Sequence, residues 1–409
     1  MKPDTAPLMT LRLAILSRGP RLYSTRRLVE EADARGCYVE VLDPMTLSIT
    51  VGNEKPRILN EGWPVEVDAV LPRIGYSITR HGVALVRQFE RLGVHVSNSS
   101  EGISRSRDKL QATQLLTRNR IPVPTTCYVR SWHDVERAIH QVGGMPIVIK
   151  VSEGTQGSGV HLVHSEERAR ELTYKLLSEG HQVLVQEYIE ESHGRDIRVL
   201  VVGGEVVAAM RRVARGGEFR SNYHLNGTIE NIDLPEEYAE IARRAARLLD
   251  LEIAGVDLLE SERGPLLLEV NSSPGLEGIE NATGVNVAGA IIEHVMAHQA
   301  FSQVELDQLL RSRLDHGVLS ISVERHPHLA GKQIGDIFRD PSEQVVFAVA
   351  REGMHVWKPR RTFTLREGDE VVCYGELGRI RQMVKPFLTD VESRSEDYLE
   401  DAHWQPEWT

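Results

Sequence analysis

Apolar positions along the chain fall into two periods, and the changes between them mark the elements. "LRLAILSR" (11–18) reads as a buried strand, "TRRLVEEADARG" (25–36) as a helix closed by Gly36, and "CYVEVLDP" (37–44) as the next strand. Such β/α alternation predicts half of a doubly wound sheet. From about residue 104 the pattern changes. "SRSRDKLQATQLLTRNR" (104–120) reads as one helix, "PIVIKVSEGTQGSGVHLV" (146–163) as two strands joined by a polar glycine loop, and "SEERARELTYKLL" (165–177) as another helix, together a small α+β lobe. A second lobe follows with "VLVQEYIE", "DIRVLVVGGEVVAAMRR", the helix "PEEYAEIARRAARLLD" and a hairpin centred on Arg263. In that helix Tyr238, Ile241, Ala242, Ala245, Leu248 and Leu249 share one face, and Pro235 suits the first turn. Residues 317–376 read as a separate β-rich module with strands "VLSISVE", "QVVFAVAR", "MHVWKP" and "DEVVCYGE".

The chain has 409 residues, 41% hydrophobic and 26% charged, enough for the three domains this pattern suggests. Its formal net charge is −11, with acid concentrated in the tail, which argues against general nucleic-acid binding through phosphates. Cys37, Cys127 and Cys373 are far apart and form no CxxC pair, which argues against zinc and a disulfide framework and fits a reducing cytosol. No run approaches the roughly 18 apolar residues of a membrane span. A cytoplasmic chain without membrane insertion is expected.

Chemistry concentrates where "EIAGVDLLE" and "PLLLEVNSS" flank the polar turn "SERG". Pairing centred on Arg263 sets Leu259 opposite Leu267, Asp257 opposite Glu269 and Gly255 opposite Asn271. Because side chains alternate along a strand, Asp257, Glu269 and Asn271 then share a face. Two carboxylates facing each other across strands repel unless a cation lies between them, and two acids with an amide form an oxygen-only set suited to Mg²⁺ or Mn²⁺.

Other segments carry weaker signals. Gly154, Gly157 and Gly159 let a loop turn its N–H groups toward a ligand, while Lys150 ends an apolar strand with a positive charge, a combination suited to phosphate. The loop does not match G-x-x-x-x-G-K-[ST], and the first β-to-α turn, "SRGPRLYST", lacks G-x-G-x-x-G. Glu187, Tyr188 and Asp196 form an arrangement able to hold an adenine edge and ribose hydroxyls. Arg211, Arg212, Arg215 and Arg220 in "MRRVARGGEFRSN" make a local basic patch in an acidic chain.

Taken in order, "PRIG", "RQFE", "RDKL", "EGTQGSGV", "VQEYI", "DIRVLVVG", "EFRSN", "AGVD" and "LEVNSSPGLEGIE" resemble an ATP-grasp ligase of the RimK type, the ribosomal protein S6 glutamate ligase family, over residues 11 to 300. The resemblance implies a pre-ATP-grasp α/β domain at 9–103 and an ATP-grasp domain at 104–300, with a small lobe to about 185 and a large lobe beyond. It implies ATP between the lobes, with Lys109 and Lys150 on phosphates and Gly154 to Gly159 as a lid. Glu187, Tyr188, Asp196, Arg220, Ser221 and Asn222 match nucleotide-contacting positions. Asp257, Glu269 and Asn271 match the ligands of two metal ions, Glu269 bridging them. Arg198 and Arg212 are candidates for gripping the acyl phosphate or the acceptor carboxylate. The implied reaction adds L-glutamate to a C-terminal carboxylate, of S6 or polyglutamate, through an acyl phosphate.

Two departures qualify this. S6-modifying members usually read R-S-N-x-H-x-G-G, with Arg common at the second x, whereas "RSNYHLNG" places Leu225 and Asn226 there. That leaves room for a different acceptor, a cofactor or an amino-acid carrier protein. Residues 316–389, with the helix "LAGKQIGDIF" and the strand "LREGDEVVCYGE", resemble the TrkA-C or RCK-C regulatory domain, and an acidic tail follows at 390–409. The second resemblance implies a homo-oligomer with a small-molecule effector. A non-enzymatic nucleotide sensor is the remaining alternative, and it predicts loss of the metal-binding residues.

Overall fold

The computed structural model describes residues 10–52, 56–151, 159–215, 219, 227–298, 316–339, 344–351, 354–357 and 359–384. Two compact units divide the chain, Met1–Ser302 and Gln303–Thr409. No helix among the described residues is long and apolar enough to cross a membrane.

The first unit begins with β1 (Arg12–Leu16), α1 (Tyr23–Ala34) and β2 (Tyr38–Leu42). Gly36, just past α1, takes φ +76°, a left-handed turn that glycine enters without steric cost. An antiparallel trio follows, β3 (Leu47–Thr50), β4 (Arg57–Asn60) and β5 (Trp63–Pro64). Then come β6 (Ala69–Pro72), α2 (Thr79–Arg91) and β7 (His95–Val96), which complete a parallel sheet of order β2-β1-β6-β7. This is the expected half of a doubly wound sheet.

The single helix expected over 104–120 is two, α3 (Ser100–Arg107) and α4 (Lys109–Arg118). Asp108 lies between them in an extended conformation, and its carboxylate accepts from the N–H groups of Leu110 and Gln111 at 3.0 Å. A side chain that caps the next helix this well breaks the run, although the sequence around it is helix-forming.

The small lobe holds β8 (Thr126–Val129), α5 (Val135–Gln141), β9 (Ile147–Val151), β10 (Val160–Val163), α6 (Glu166–Ser178) and β11 (Val183–Glu187). Its antiparallel sheet runs β10-β9-β11-β8, and Ile147, Ile149, Val183 and Val185 pack against α5 and α6. The large lobe holds β12 (Arg195–Val202), β13 (Glu205–Val213), β14 (Thr228–Asn231), α7 (Glu236–Leu248), β15 (Ile253–Leu259), β16 (Leu266–Asn271), α8 (Glu277–Thr283) and α9 (Val287–His298). Pro235 is the residue just before α7 rather than inside its first turn.

The large-lobe sheet, of order β14-β13-β12-β15-β16, is covered on both faces. Ile241, Ala242 and Ala245 of α7 pack with Leu116 of α4 on one side. On the other, Ile279 of α8 and Ile291 of α9 pack between Leu200 and Met210 of the large-lobe sheet and Leu13, Ile15 and Leu28 of the N-terminal lobe. Asn98, buried, joins the same parts by donating to the carbonyls of Ile253 and Ser272 and accepting from the N–H of Ile253, at 2.8–2.9 Å.

In the second unit β17 (His316–Ser322), α10 (Ile334–Ile337), β18 (Gln344–Arg351), β19 (Met354–Trp357), β20 (Glu370–Glu376) and α11 (Leu377–Val384) build an antiparallel sheet of order β17-β20-β18-β19. All four strands lie where the alternation predicts them. The expected "LAGKQIGDIF" helix shrinks to the four residues of α10, because Gly331 takes φ +82° and Gln333 is extended. Ile334 and Ile337 still bury against Ile321, Val349 and Val371.

Candidate active site

β15 and β16 pair antiparallel with Asp257 opposite Glu269 and Gly255 opposite Asn271, the register that centring on Arg263 predicts. Nearer the turn the prediction fails: Leu258, not Leu259, faces Leu267, and Leu259 faces Leu266. A bulge lies between, at Leu268, so the register slips by one residue where only leucines are affected. The slip leaves Asp257, Glu269 and Asn271 on one face. Gly255 sits where a Cβ would come within 2.7 Å of the Pro274 ring, so only glycine lets the "NSSPG" turn fold over β15.

The polar face extends across four strands. Arg198 on β12 lies opposite Asp257, and Asp196, two residues earlier, lies opposite Arg212 on β13. Arg198 binds Asp257 with a two-point fork, both distances 2.7 Å, and Arg212 reaches Asp257 Oδ2 at 2.9 Å. Arg212 also forks onto Asp196, with Nε to Oδ1 at 2.6 Å. Asp196, Arg212 and Asp257 are each no more than 3% exposed, so this is a buried, nearly charge-balanced row. Burial pushes the Asp257 carboxyl up, but the charges of Arg198 and Arg212 outweigh it and hold the group below the usual carboxylate range. Burial likewise lowers Arg212, and Asp257 and Asp196 more than restore it. Arg211, on the opposite face of β13, is used differently, forking onto Glu260.

Asn271 donates from Nδ2 to Glu269 Oε1 at 3.0 Å, leaving its Oδ1 as an acceptor. No three His, Cys, Asp or Glu side chains gather into a metal-binding group among the described residues. What this face does offer together is two carboxylates and the Asn271 amide oxygen. The donor set is all oxygen, so it fits Mg²⁺ in kind.

Lys150, on β9, donates to Gln186 Oε1 at 2.5 Å, and Gln186 in turn donates to Thr126 Oγ1 at 2.8 Å. Burial lowers Lys150 to about 8, with Glu269 raising it and Lys109 lowering it further. The charges of Glu269 and Lys109 both act on Lys150, so the three groups lie within electrostatic reach of one another. In the unfolded chain Lys150 titrates near 10.5, so between pH 8 and 10.5 the unfolded state binds more protons and this group's penalty on stability is relieved as pH rises. Lys150→Met is accordingly expected to melt above wild type at pH 7 without ligand, the gap closing by pH 10.5. Melting curves across that range check this.

Glu187 accepts from the Thr125 N–H at 3.1 Å and from Arg263 at 2.6 Å, and the Tyr188 hydroxyl bonds His193 Nδ1. Gly159, at φ +84°, is the one loop glycine within the described residues; Gly154, Gly157, Arg220, Ser221 and Asn222 lie outside them, as do Leu225 and Asn226. Sequence reasoning missed how tightly Arg198 and Arg212 bind Asp257. The i, i+2 spacing of Asp196 and Arg198 was the available signal.

A glycine-looped antiparallel lobe facing a sheet edged by acids defines the ATP-grasp fold. Residues 106–295 match the RimK-like ATP-grasp domain and residues 11–103 the RimK pre-ATP-grasp domain. A probable alpha-L-glutamate ligase of Rhodopirellula baltica is 45% identical over 91% of this chain and 93% of its own. One from Aeromonas salmonicida is 54% identical over 69% of this chain and 95% of its own. The chain belongs to the RimK-like ATP-grasp family of these ligases. Among solved structures, the RimK-domain ATP-grasp protein of Sphaerobacter thermophilus superposes with a TM-score of 0.55 at 23% identity, covering 70% of this chain and 99% of its own. The ATP-grasp ligase PsnB, complexed with a minimal precursor, gives 0.57 at 22%, covering 70% and 99%.

Proposed function

We propose that this enzyme joins the amino group of L-glutamate to a substrate carboxylate, using ATP and Mg²⁺ or Mn²⁺. The observation that carries the reading is the charged row ending in Asp257, Glu269 and Asn271, placed near Lys150 and Lys109, in a chain whose relatives are named glutamate ligases.

An acceptor carboxylate oxygen attacks the γ-phosphorus of ATP, the bond to ADP breaks, and an acyl phosphate forms. The amine of glutamate then attacks the acyl carbon, phosphate leaves with its electron pair, and the amine loses a proton as the amide forms. Lys109 and Lys150 bind phosphate oxygens, and the stretch from Gly154 to Gly159, described only at Gly159, is assigned the role of lid. Glu187, Tyr188, Asp196 and the run Arg220-Ser221-Asn222 hold the nucleoside. Asp257, Glu269 and Asn271 would hold two divalent ions, and these would supply charge neutralisation for the transferring phosphoryl group. Arg198 and Arg212 steady Asp257 and present guanidinium charge toward the acyl phosphate.

The acceptor is a C-terminal carboxylate, of ribosomal protein S6 or of growing polyglutamate. The departure at Leu225 and Asn226 favours a second reading, in which a cofactor or amino-acid carrier protein is the acceptor. The test is ADP release with Mg²⁺-ATP, a peptide ending in a free carboxylate, and each amino acid in turn. Glutamate is expected to stimulate release and the others are not; equal rates with and without glutamate would sink the reading.

The enzyme is read as cytoplasmic, and residues 316–389 as a TrkA-C/RCK-C-like module that makes it a homo-oligomer and binds a small effector. The Rhodopirellula relative supports a specific pairing of module and ligase, since its match covers 91% of the chain and so runs past Ser302. Deleting residues 316–409 is expected to reduce the oligomer's mass in light scattering and to change steady-state kinetics. If neither changes, the module has no regulatory role.

A further inference from the structure

Two arginines outside the charged row, Arg73 and Arg107, make no ion pair among the described residues, although the charge of Glu269 reaches Arg107. Arg73, immediately after β6, donates from Nη2 to the Pro274 carbonyl at 2.7 Å, and so lies against the turn that follows Asn271. Arg107, the last residue of α3, donates from Nη2 to the Ile74 carbonyl at 2.7 Å, beside Arg73 in the chain. Neither forms an ion pair among the described residues, whereas Arg27, Arg35, Arg198, Arg211, Arg212 and Arg351 all do. The Arg107 Nε is shielded from solvent and has no partner. So are the hydroxyls of Ser272 and Ser273, in the turn that Arg73 grips.

Burial, reinforced by the charge of Arg107, lowers Arg73 to about 10, and burial lowers Arg107 as well, with Glu269 opposing it. Both arginines are half-buried, and two like charges near one another and partly removed from water destabilise a fold unless an anion joins them. Leucine or methionine would fill the same space without that penalty. The guanidinium forks and spare hydroxyls suit a carboxylate.

We infer that Arg73 and Arg107 hold a carboxylate of the incoming glutamate, where the N-terminal lobe meets the end of β16. This rests on the ligase reading above. Phosphate oxygens are assigned to Lys109 and Lys150, and the acceptor carboxylate gives up its charge on becoming an acyl phosphate. Glutamate keeps both of its carboxylates ionised throughout the reaction, since only its amine reacts, and guanidinium groups that never lose their own charge are matched to that need. Segments on either side of the charged row thus serve different reactants.

The test is calorimetric titration of the full chain, loaded with Mg²⁺ and a non-hydrolysable ATP analogue, with L-glutamate and separately with a peptide ending in glutamate. Wild type, Arg73→Gln, Arg107→Gln and Arg107→Lys are compared, with melting temperatures to check folding. Glutamate affinity is expected to fall about tenfold or more in both Gln variants and to recover partly in the Lys variant, with affinity for the ATP analogue within about twofold of wild type. Melting temperatures should change little, because each variant gives up one hydrogen bond to a backbone carbonyl but no ion pair among the described residues. Unchanged glutamate binding in both Gln variants overturns the inference alone, as does a loss confined to the peptide. A wild type that binds the ATP analogue but not glutamate overturns both the inference and the ligase reading.

Discussion

Asp257→Ala is expected to lower turnover by about a hundredfold or more, the usual loss when charge stabilisation of a phosphoryl-transfer transition state is removed. It is also expected to destabilise the fold by about 3–5 kcal/mol, because it strips the counter-charge from buried guanidinium groups. Arg198 forks onto Asp257 and Arg212 contacts it at 2.9 Å, and the carboxylate is 2% exposed. Arg212 retains Asp196, so the row does not collapse entirely, but Arg198 has no second acid among its ion pairs. Asp257→Asn keeps the volume and some hydrogen bonding, so it should recover part of the stability and little of the turnover. Denaturant unfolding and ADP release, measured on the same preparations, separate the two effects.

Asn271→Ala is expected to cause a similar loss of turnover, on the order of a hundredfold, with a much smaller change in stability. Asn271 is half-buried and makes one good hydrogen bond, to Glu269 at 3.0 Å, so its loss should cost only about 1 kcal/mol. The contrast is diagnostic. If both variants lost activity only in proportion to their unfolding, the row would be a structural ion network. A variant at position 271 that melts near wild type yet turns over slowly shows that the amide oxygen is needed for the reaction itself.

That Asp257, Glu269 and Asn271 share a face was legible in the sequence because strand alternation and a short polar turn fix which residues lie together. Only the leucines nearest the turn were misplaced, since a bulge at Leu268 leaves no trace in a run of identical residues. The break at Asp108 was hidden for a related reason: residues on both sides favour helix, and what divides them is one carboxylate capping the second helix. Pairing across distant strands was less accessible. Arg198 and Asp257 are 59 residues apart, and nothing local shows that β12 lies beside β15. Arg73 is harder still, because its contact with Pro274 spans 201 residues and joins two lobes. The stretches "PRIG" and "RDKL" mark those segments, but only the folded chain shows Arg107 bonded to the residue after Arg73, with neither arginine in an ion pair among the described residues.

The central claim is that ATP hydrolysis here is coupled to amide formation with glutamate. Its most direct test is the intact mass of a peptide ending in a free carboxylate after incubation with the enzyme, ATP, Mg²⁺ and L-glutamate, with ADP quantified in the same sample. The account predicts peptide masses increased by whole glutamyl residues, with one ADP formed for each residue added. ADP formation with no glutamyl residue added to the peptide or to glutamate itself would contradict it.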